Sequence, residues 1–230
     1  MTTGSPPPPS PPLLALHAPG DRRGGRPWID GVSASAWPGD VFAPDLPGHG
    51  NAEPPIGGNH ESSDAAFVGS QVDTGTPPVV VGLGVSGWGA QLLALGGRAC
   101  GLVLVDGLGG PWLDATQRVI STRRHLRDLV DDRAAMEPPE PGVPDARLDH
   151  LPPAHGDRDL AGRALAATTV PVLILSSRGS SLTPLDCRHL VDELDGDRAP
   201  IDVAEIADRD PATVMPVVAT WWLDRRHETP

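Results

Sequence analysis

The sequence predicts an α/β fold, a mostly parallel doubly wound sheet with helices on both faces and a small helical lid insertion. Three observations predict it. Short, continuous apolar runs recur along the chain, with no polar alternation, as in strands covered on both faces. Helical stretches separate these runs, which is the order of a parallel sheet built from crossover units. One run, Val79-Val80-Val81, leads straight into the glycine-rich segment Gly82–Gly89.

The elements follow in order. Residues 1–12 form a Pro-rich tail in extended form, expected to be disordered. Leu13–His17 is the first strand and ends in the turn His17-Ala18-Pro19-Gly20. Asp40–Pro44 is the second and runs into Asp45-Leu46-Pro47-Gly48-His49-Gly50. After Val79–Val81 and its glycine turn, Ala90–Leu95 reads as the body of a helix. Leu102–Val105, Val170–Leu175 and a weaker Ile201–Ile206 complete the sheet, and Val214–Leu223 is a closing helix. The core is therefore assigned to 13–106 and 170–230. The segment 107–169 is assigned to the lid, with helices over Asp114–Met136 and Asp157–Ala167 and a Pro- and Asp-rich loop over Glu137–Pro153. A lid belongs over the C-terminal strand ends, where open α/β sheets bind ligands.

Bulk properties narrow the partners. A chain of 230 residues fits one domain with a sizeable core. A formal net charge of -12 argues against nucleic acid or an anionic membrane, because no basic patch could displace counterions. No apolar stretch reaches spanning length, and no basic region followed by an apolar run opens the chain. The basic residues are all Arg and Tyr is absent, which reads as the codon usage of a GC-rich, bacterial genome. Cys100 and Cys187 stand in no metal-ligand spacing; they are free thiols in a reducing cytosol or one disulfide. The expectation is a cytoplasmic protein with a small-molecule ligand, no metal and no cofactor. Gly82–Gly89 resembles a dinucleotide-binding glycine turn only loosely, and it does not follow the first strand of the sheet.

Taken in order, Leu14–Gly20, Ala43–Gly50, Val79–Gly82, Gly101–Asp106 and Val170–Leu175 resemble the α/β-hydrolase superfamily, and Asp45-Leu46-Pro47-Gly48-His49-Gly50 is the most specific piece. The resemblance implies a nucleophile on a strained strand-to-helix elbow, Gly-x-Ser-x-Gly. With the strand ending at Val81, Gly82 opens the elbow and Gly84, which has no side chain, takes the nucleophile position. Sliding the elbow two residues makes Ser86 the alternative nucleophile and places Trp88 where a small residue is wanted. The family's acid position after Val170–Leu175 falls on Ser180, and a serine cannot hold an imidazolium by charge. Asp106 is the alternative acid; Asp186, further on, reads as a helix cap. The family's base follows the last strand, where Ala207-Asp208-Arg209-Asp210-Pro211 has no His. His17 and His49 belong to family turns and read as structural or oxyanion-adjacent, whereas His60, His125, His150, His155, His189 and His227 read as solvated or remote from the pocket. The oxyanion turn carries Ala18 where the family has Gly.

These residues leave three readings open. The first is a pseudoenzyme with a degenerate catalytic triad, whose pocket of His17, Ala18, Gly84, Val85, Ser86 and Ser180 binds a small apolar ligand or templates a reaction without a nucleophile. The second is a serine hydrolase or esterase that uses Ser86. The third is a protein-interaction role for the Pro-rich tail or the acidic surface.

Overall fold

The computed structural model describes residues 10–18, 23–33, 37–47, 49–52, 61–84, 86–108, 158–178, 180, 183–194 and 199–226. Most of the Pro-rich tail, and the lid between 109 and 157, lie outside the described residues.

Six strands form one sheet: β1 (Leu13–Leu16), β2 (Val41–Phe42), β3 (Val79–Leu83), β4 (Gly101–Val105), β5 (Val172–Ser177) and β6 (Ile201–Ile206). Their spatial order is β2-β1-β3-β4-β5-β6, and every neighbouring pair is parallel. The helices are α1 (Arg26–Ser33), α2 (Glu61–Gln71), α3 (Ser86–Leu95), α4 (Arg158–Ala167), α5 (Pro184–Glu193) and α6 (Pro211–Arg226).

The continuous apolar runs have the cause expected of them. Leu14, Leu16, Val80, Leu102, Leu104, Val172 and Ile174 face one core layer with Ala65 of α2, Leu93 of α3, Leu165 of α4 and Leu190 of α5. The alternate residues Leu13, Ala15, Val79, Val81, Val103, Val105, Leu173 and Leu175 face the other, with Trp28 of α1 and Val214, Met215, Val218 and Trp221 of α6. Both faces are dry, so no polar alternation is needed. Cys187 lies in the first layer and Cys100 packs against the second, so the sheet separates them and they form no disulfide.

Several element boundaries differ from the sequence expectation. Strand β3 runs to Leu83, two residues past Val81, which is the extension that would favour Ser86, yet the left-handed turn falls on Gly84 and Ser86 is already the first residue of α3. The second strand is only Val41–Phe42, because Ala43 to Leu46 already turn out of the sheet. The fifth is shifted by two residues and carries Ser176 and Ser177 on its end. Helix α3 begins at Ser86, earlier than the Ala90 start of the helix body, because small residues let it fold directly off the strand. Helix α4, placed in the lid by sequence, buries Ala161 and Leu165 in the first core layer.

The β3–α3 junction is tightly packed. A Cβ on Gly82 would stand 2.7 Å from Gly87 Cα and 2.8 Å from both Ala90 Cβ and Ser86 O. Backbone cannot retreat from such a contact without moving the helix. Gly82→Ala is therefore expected to lower unfolding free energy by about 1–3 kcal/mol through overpacking, read by urea denaturation. Gly75→Ala, with φ +68° but open space around it, should cost only the left-handed strain, about 1–2 kcal/mol, with no change in the near-UV spectrum of the core.

Candidate functional site

The C-terminal strand ends carry the candidate site, and the elbow is its centre. Strand β3 ends at Leu83, Gly84 turns with φ +58°, and α3 starts at Ser86. Gly84 N–H donates to Val105 O at 2.7 Å, and Gly87 N–H donates back to Gly84 O at 3.1 Å. A positive φ at this point is what a strand-to-helix elbow demands, and glycine adopts it without strain. Gly82, Gly84 and Gly87 stand at Gly-x-Gly-x-x-Gly spacing, closer to a dinucleotide turn than the loose resemblance expected from the sequence. Their roles here are those of an elbow: Gly82 admits the helix and Gly84 makes the turn.

Ser86 is fully buried, and its Oγ donates to His17 O at 2.7 Å. The alternative nucleophile is thus a tie between the start of α3 and the end of β1. Val85 lies outside the described residues.

The turn after β1 is held by the His17 ring, also fully buried. Leu46 N–H donates to Nε2 at 3.0 Å, so the ring proton sits on Nδ1, which donates to Ala18 O at 2.9 Å. The His49 ring stands 5.1 Å from it, and its Nδ1 donates to Pro47 O at 2.9 Å. Beside them the Asp45 carboxylate accepts from Gly25 N–H and Asn51 N–H, both at 2.8 Å. Gly24 (φ +60°) and Gly50 (φ +53°) close over this carboxylate so tightly that a Cβ on either would meet its atoms within 2.3 Å. That cage is the local reason for the Asp-Leu-Pro-Gly-His-Gly stretch: the Asp ties two turns, and Gly50 makes room for it.

On the other side of the elbow, Asp106 follows β4 with φ +54°, a left-handed conformation rare for a side-chain-bearing residue. Its carboxylate accepts from Ser177 N–H at 2.6 Å and Ser177 Oγ–H at 2.5 Å, clamping the ends of β4 and β5 together. Gly107 then passes against the elbow; a Cβ there would lie 2.7 Å from Gly84 O and 2.8 Å from Gly84 Cα. The Gln91 amide donates to Leu108 O, and its buried Oε1 has no hydrogen-bond partner among the described residues. Ser180 N–H donates to Ser177 O at 3.0 Å, which places Ser180 one turn beyond the clamp. Ser177 and Gln91 escaped the sequence reading. Ser177 stood outside the expected strand, and Gln91 was read only as part of a helix body.

The loop after β6 spends its acids on backbone. Asp208 accepts from Asp210 N–H and Asp210 from Ala212 N–H, each at 2.9 Å, which caps α6. Asp186 forms a capping box with Thr183, the helix-capping role expected from sequence. His189 is exposed on α5; His60, His125, His150, His155 and His227 lie outside the described residues. Among the described residues no group of three or more His, Cys, Asp or Glu could hold a metal ion, and no helix is long and apolar enough to cross a membrane.

Comparison with known proteins places this geometry. The model of the alpha/beta hydrolase family matches residues 13–228. The chain belongs to the α/β-hydrolase family. No curated protein matches it by sequence. An α/β hydrolase from Sphaerobacter thermophilus is 18% identical over 92% of each chain, with a TM-score of 0.52. A meta-cleavage product hydrolase from Pseudomonas fluorescens is 18% identical, with 95% of this chain and 91% of that one covered and a TM-score of 0.61. A haloalkane dehalogenase loop variant from Bradyrhizobium elkanii gives the same identity, coverage and TM-score. At such identities the likeness is one of fold, and the α/β-hydrolase fold carries many chemistries.

Two stability measurements check the site's framework. Asp106→Ala loses the Ser177 clamp and leaves a Cβ in the left-handed region; a loss of about 2–3 kcal/mol is expected. Asp106→Gly loses the same clamp but relaxes the backbone, so it should be more stable than Asp106→Ala by about 1 kcal/mol. Equal denaturant midpoints for the two variants would show that the backbone conformation at 106 stores no strain.

Proposed function

We propose that this α/β-hydrolase-family chain keeps the fold without the hydrolytic triad, as a pseudoenzyme that binds a small, largely apolar ligand or templates a reaction needing no nucleophile. The observation that carries this reading is Gly84. It stands at φ +58° between the last residue of β3 and the start of α3, and it offers no atom to attack a carbonyl. Ser86 does not replace it, since its Oγ is fully buried and bonded to His17 O. Asp106, the alternative acid, has both carboxylate oxygens on Ser177. The loop 207–210 supplies caps and has no imidazole. A serine without a base stays protonated and weakly nucleophilic at neutral pH.

The pocket in this reading comprises His17, Ala18, Gly84, Val85, Ser86 and Ser180. Its support is a chain of contacts. Ser86 joins α3 to the β1 exit, Gly107 lies on Gly84, Asp106 grips Ser177, and Ser177 accepts from the Ser180 amide. Ala18 supplies hydrocarbon and Gly84 has no side chain, which suits an apolar ligand approaching backbone. The net charge of -12 and the absence of a basic patch favour a small molecule over nucleic acid, and a cytoplasmic site of action is part of the same proposal.

Turnover of nitrophenyl acetate and butyrate tests it. Wild type, Ser86→Ala and Ser180→Ala should share one low rate, no more than the roughly 10³-fold over water that an oxyanion hole and binding alone provide. A fluorophosphonate probe should label none of them at a specific serine. Rapid wild-type turnover that disappears in Ser86→Ala would overturn the proposal in favour of a serine hydrolase.

A further inference from the structure

We infer that residues 106–108 form a single strap across the elbow, opening and closing as one unit, and that Gln91 is the positioning residue that holds its far end. Asp106 begins the strap. Its N–H still donates to Leu175 O at 2.9 Å, and its φ of +54° then turns the chain towards the elbow. Gly107 crosses the elbow: a Cβ there would lie 2.7–2.8 Å from Gly84 O, C and Cα, all of them backbone atoms, so a side chain would lift the crossing. Leu108 ends the strap, buried in the first core layer. The near end is pinned by the Asp106 carboxylate, which accepts from Ser177 N–H and Ser177 Oγ–H. The far end is pinned by Gln91, whose side-chain amide donates to Leu108 O.

Gln91 is out of character with its helix. Helix α3 carries no charged residue, and Ala90, Leu93 and Ala94 on either side of Gln91 are core. Gln91 is nevertheless 0% exposed. Burying an amide costs free energy unless it is hydrogen-bonded, and the bond of this one goes to the strap. Packing of the Leu108 side chain is non-directional and sets only how deep the strap sits. The Gln91 N–H sets where the Leu108 carbonyl points, and because a carbonyl only accepts, it also fixes the nitrogen end of the amide towards it. Gly107 stands between the two pins, so both must hold for it to stay on Gly84. With either pin broken, the left-handed strain at Asp106 favours release of the whole strap. While the strap is closed, a ligand reaches Gly84 from the side away from Gly107. That consequence rests on the pocket proposed above; the strap itself is tested without any ligand.

Native-state hydrogen exchange of the full chain, followed by NMR in low urea, reads both pins at once. The Ser177 backbone N–H is held by Asp106, and the Gln91 side-chain N–H is held to Leu108. After correction for intrinsic rates, the two should share one opening equilibrium and one urea slope. That slope should be smaller than the slope of Leu102 N–H, which donates to Pro171 O in the sheet and opens with the whole core. In Gln91→Met, which keeps the length of the side chain and removes the donor, exchange at Ser177 should rise about tenfold and keep the small urea slope. In Ser177→Ala, exchange of the Gln91 side-chain N–H should rise by a similar factor. A role for Gln91 in the helix alone would leave Ser177 unchanged. Different opening equilibria at the two pins, a Ser177 rate unmoved by Gln91→Met, or a urea slope at Ser177 equal to that of Leu102 would each overturn the strap. If Gln91→Met does not fold, the wild-type comparison of the two pins decides: a shared equilibrium and slope below that of Leu102 supports the inference, and anything else refutes it.

Discussion

The strand ends around the site depend on the seating of α3 on β3 at Gly82. With no side chain there, helix backbone comes within 3 Å of where a Cβ would stand. That approach forces the chain to reverse direction within two residues, and the left-handed turn at Gly84 is the result. Everything around the site is built against this corner. Gly107 lies on it from the β4 side, Val105 takes its amide, and Ser86 reaches from the first turn of α3 to the end of β1. A hydrolytic elbow uses the same strain to expose a nucleophile. Here the left-handed turn falls on a glycine, which adopts it without strain.

Much of the framework was legible in the sequence because it is written in patterns with a single physical meaning. Continuous apolar strands require two covered faces, and the two core layers confirm that Val79 and Val80 point opposite ways for the same reason. The stretch Asp45–Gly50 announced a family turn, and its chemistry is visible in the caged carboxylate. What stayed illegible depends on register and distance. The two-residue shift of β5 turned Ser177 from a loop residue into the partner of Asp106, and no periodicity marks such a shift. Helices α1 and α2 were not read at all. Helix α1 is short, and α2 has a weakly apolar sequence that gains its place by packing on α3 and β1. Helix α4 read as lid because it follows a Pro-rich stretch, yet its small and apolar residues, Ala161 and Leu165, are core.

The hydrogen bonds that hold the site are almost all to backbone. His17 binds the Leu46 amide and the Ala18 carbonyl, Asp45 two amides, Gln91 the Leu108 carbonyl, and Ser86 the His17 carbonyl. Such bonds fix loop paths without using any group that chemistry would need. The same holds for the β6 exit, where Asp208 and Asp210 are committed to the α6 terminus. In a triad enzyme the corresponding loops must both hold their paths and present an acid and a base. Here only the first task is visible in the described residues.

This separation explains how one family can retain its fold while its chemistry changes. The stability of the strand ends rests on contacts such as Asp106 with Ser177 and Asp45 with its two amides. A glycine at 84 takes no hydrogen bond from this set, because Gly84 bonds through its own backbone, to Val105 and Gly87. Glycine even relieves the positive φ that a serine would have to bear, at a saving of about 1 kcal/mol. Selection for a reaction is what keeps a strained nucleophile on an elbow. Under the proposed non-hydrolytic reading that selection is absent, and the backbone's own preference at this corner is glycine, the residue found here.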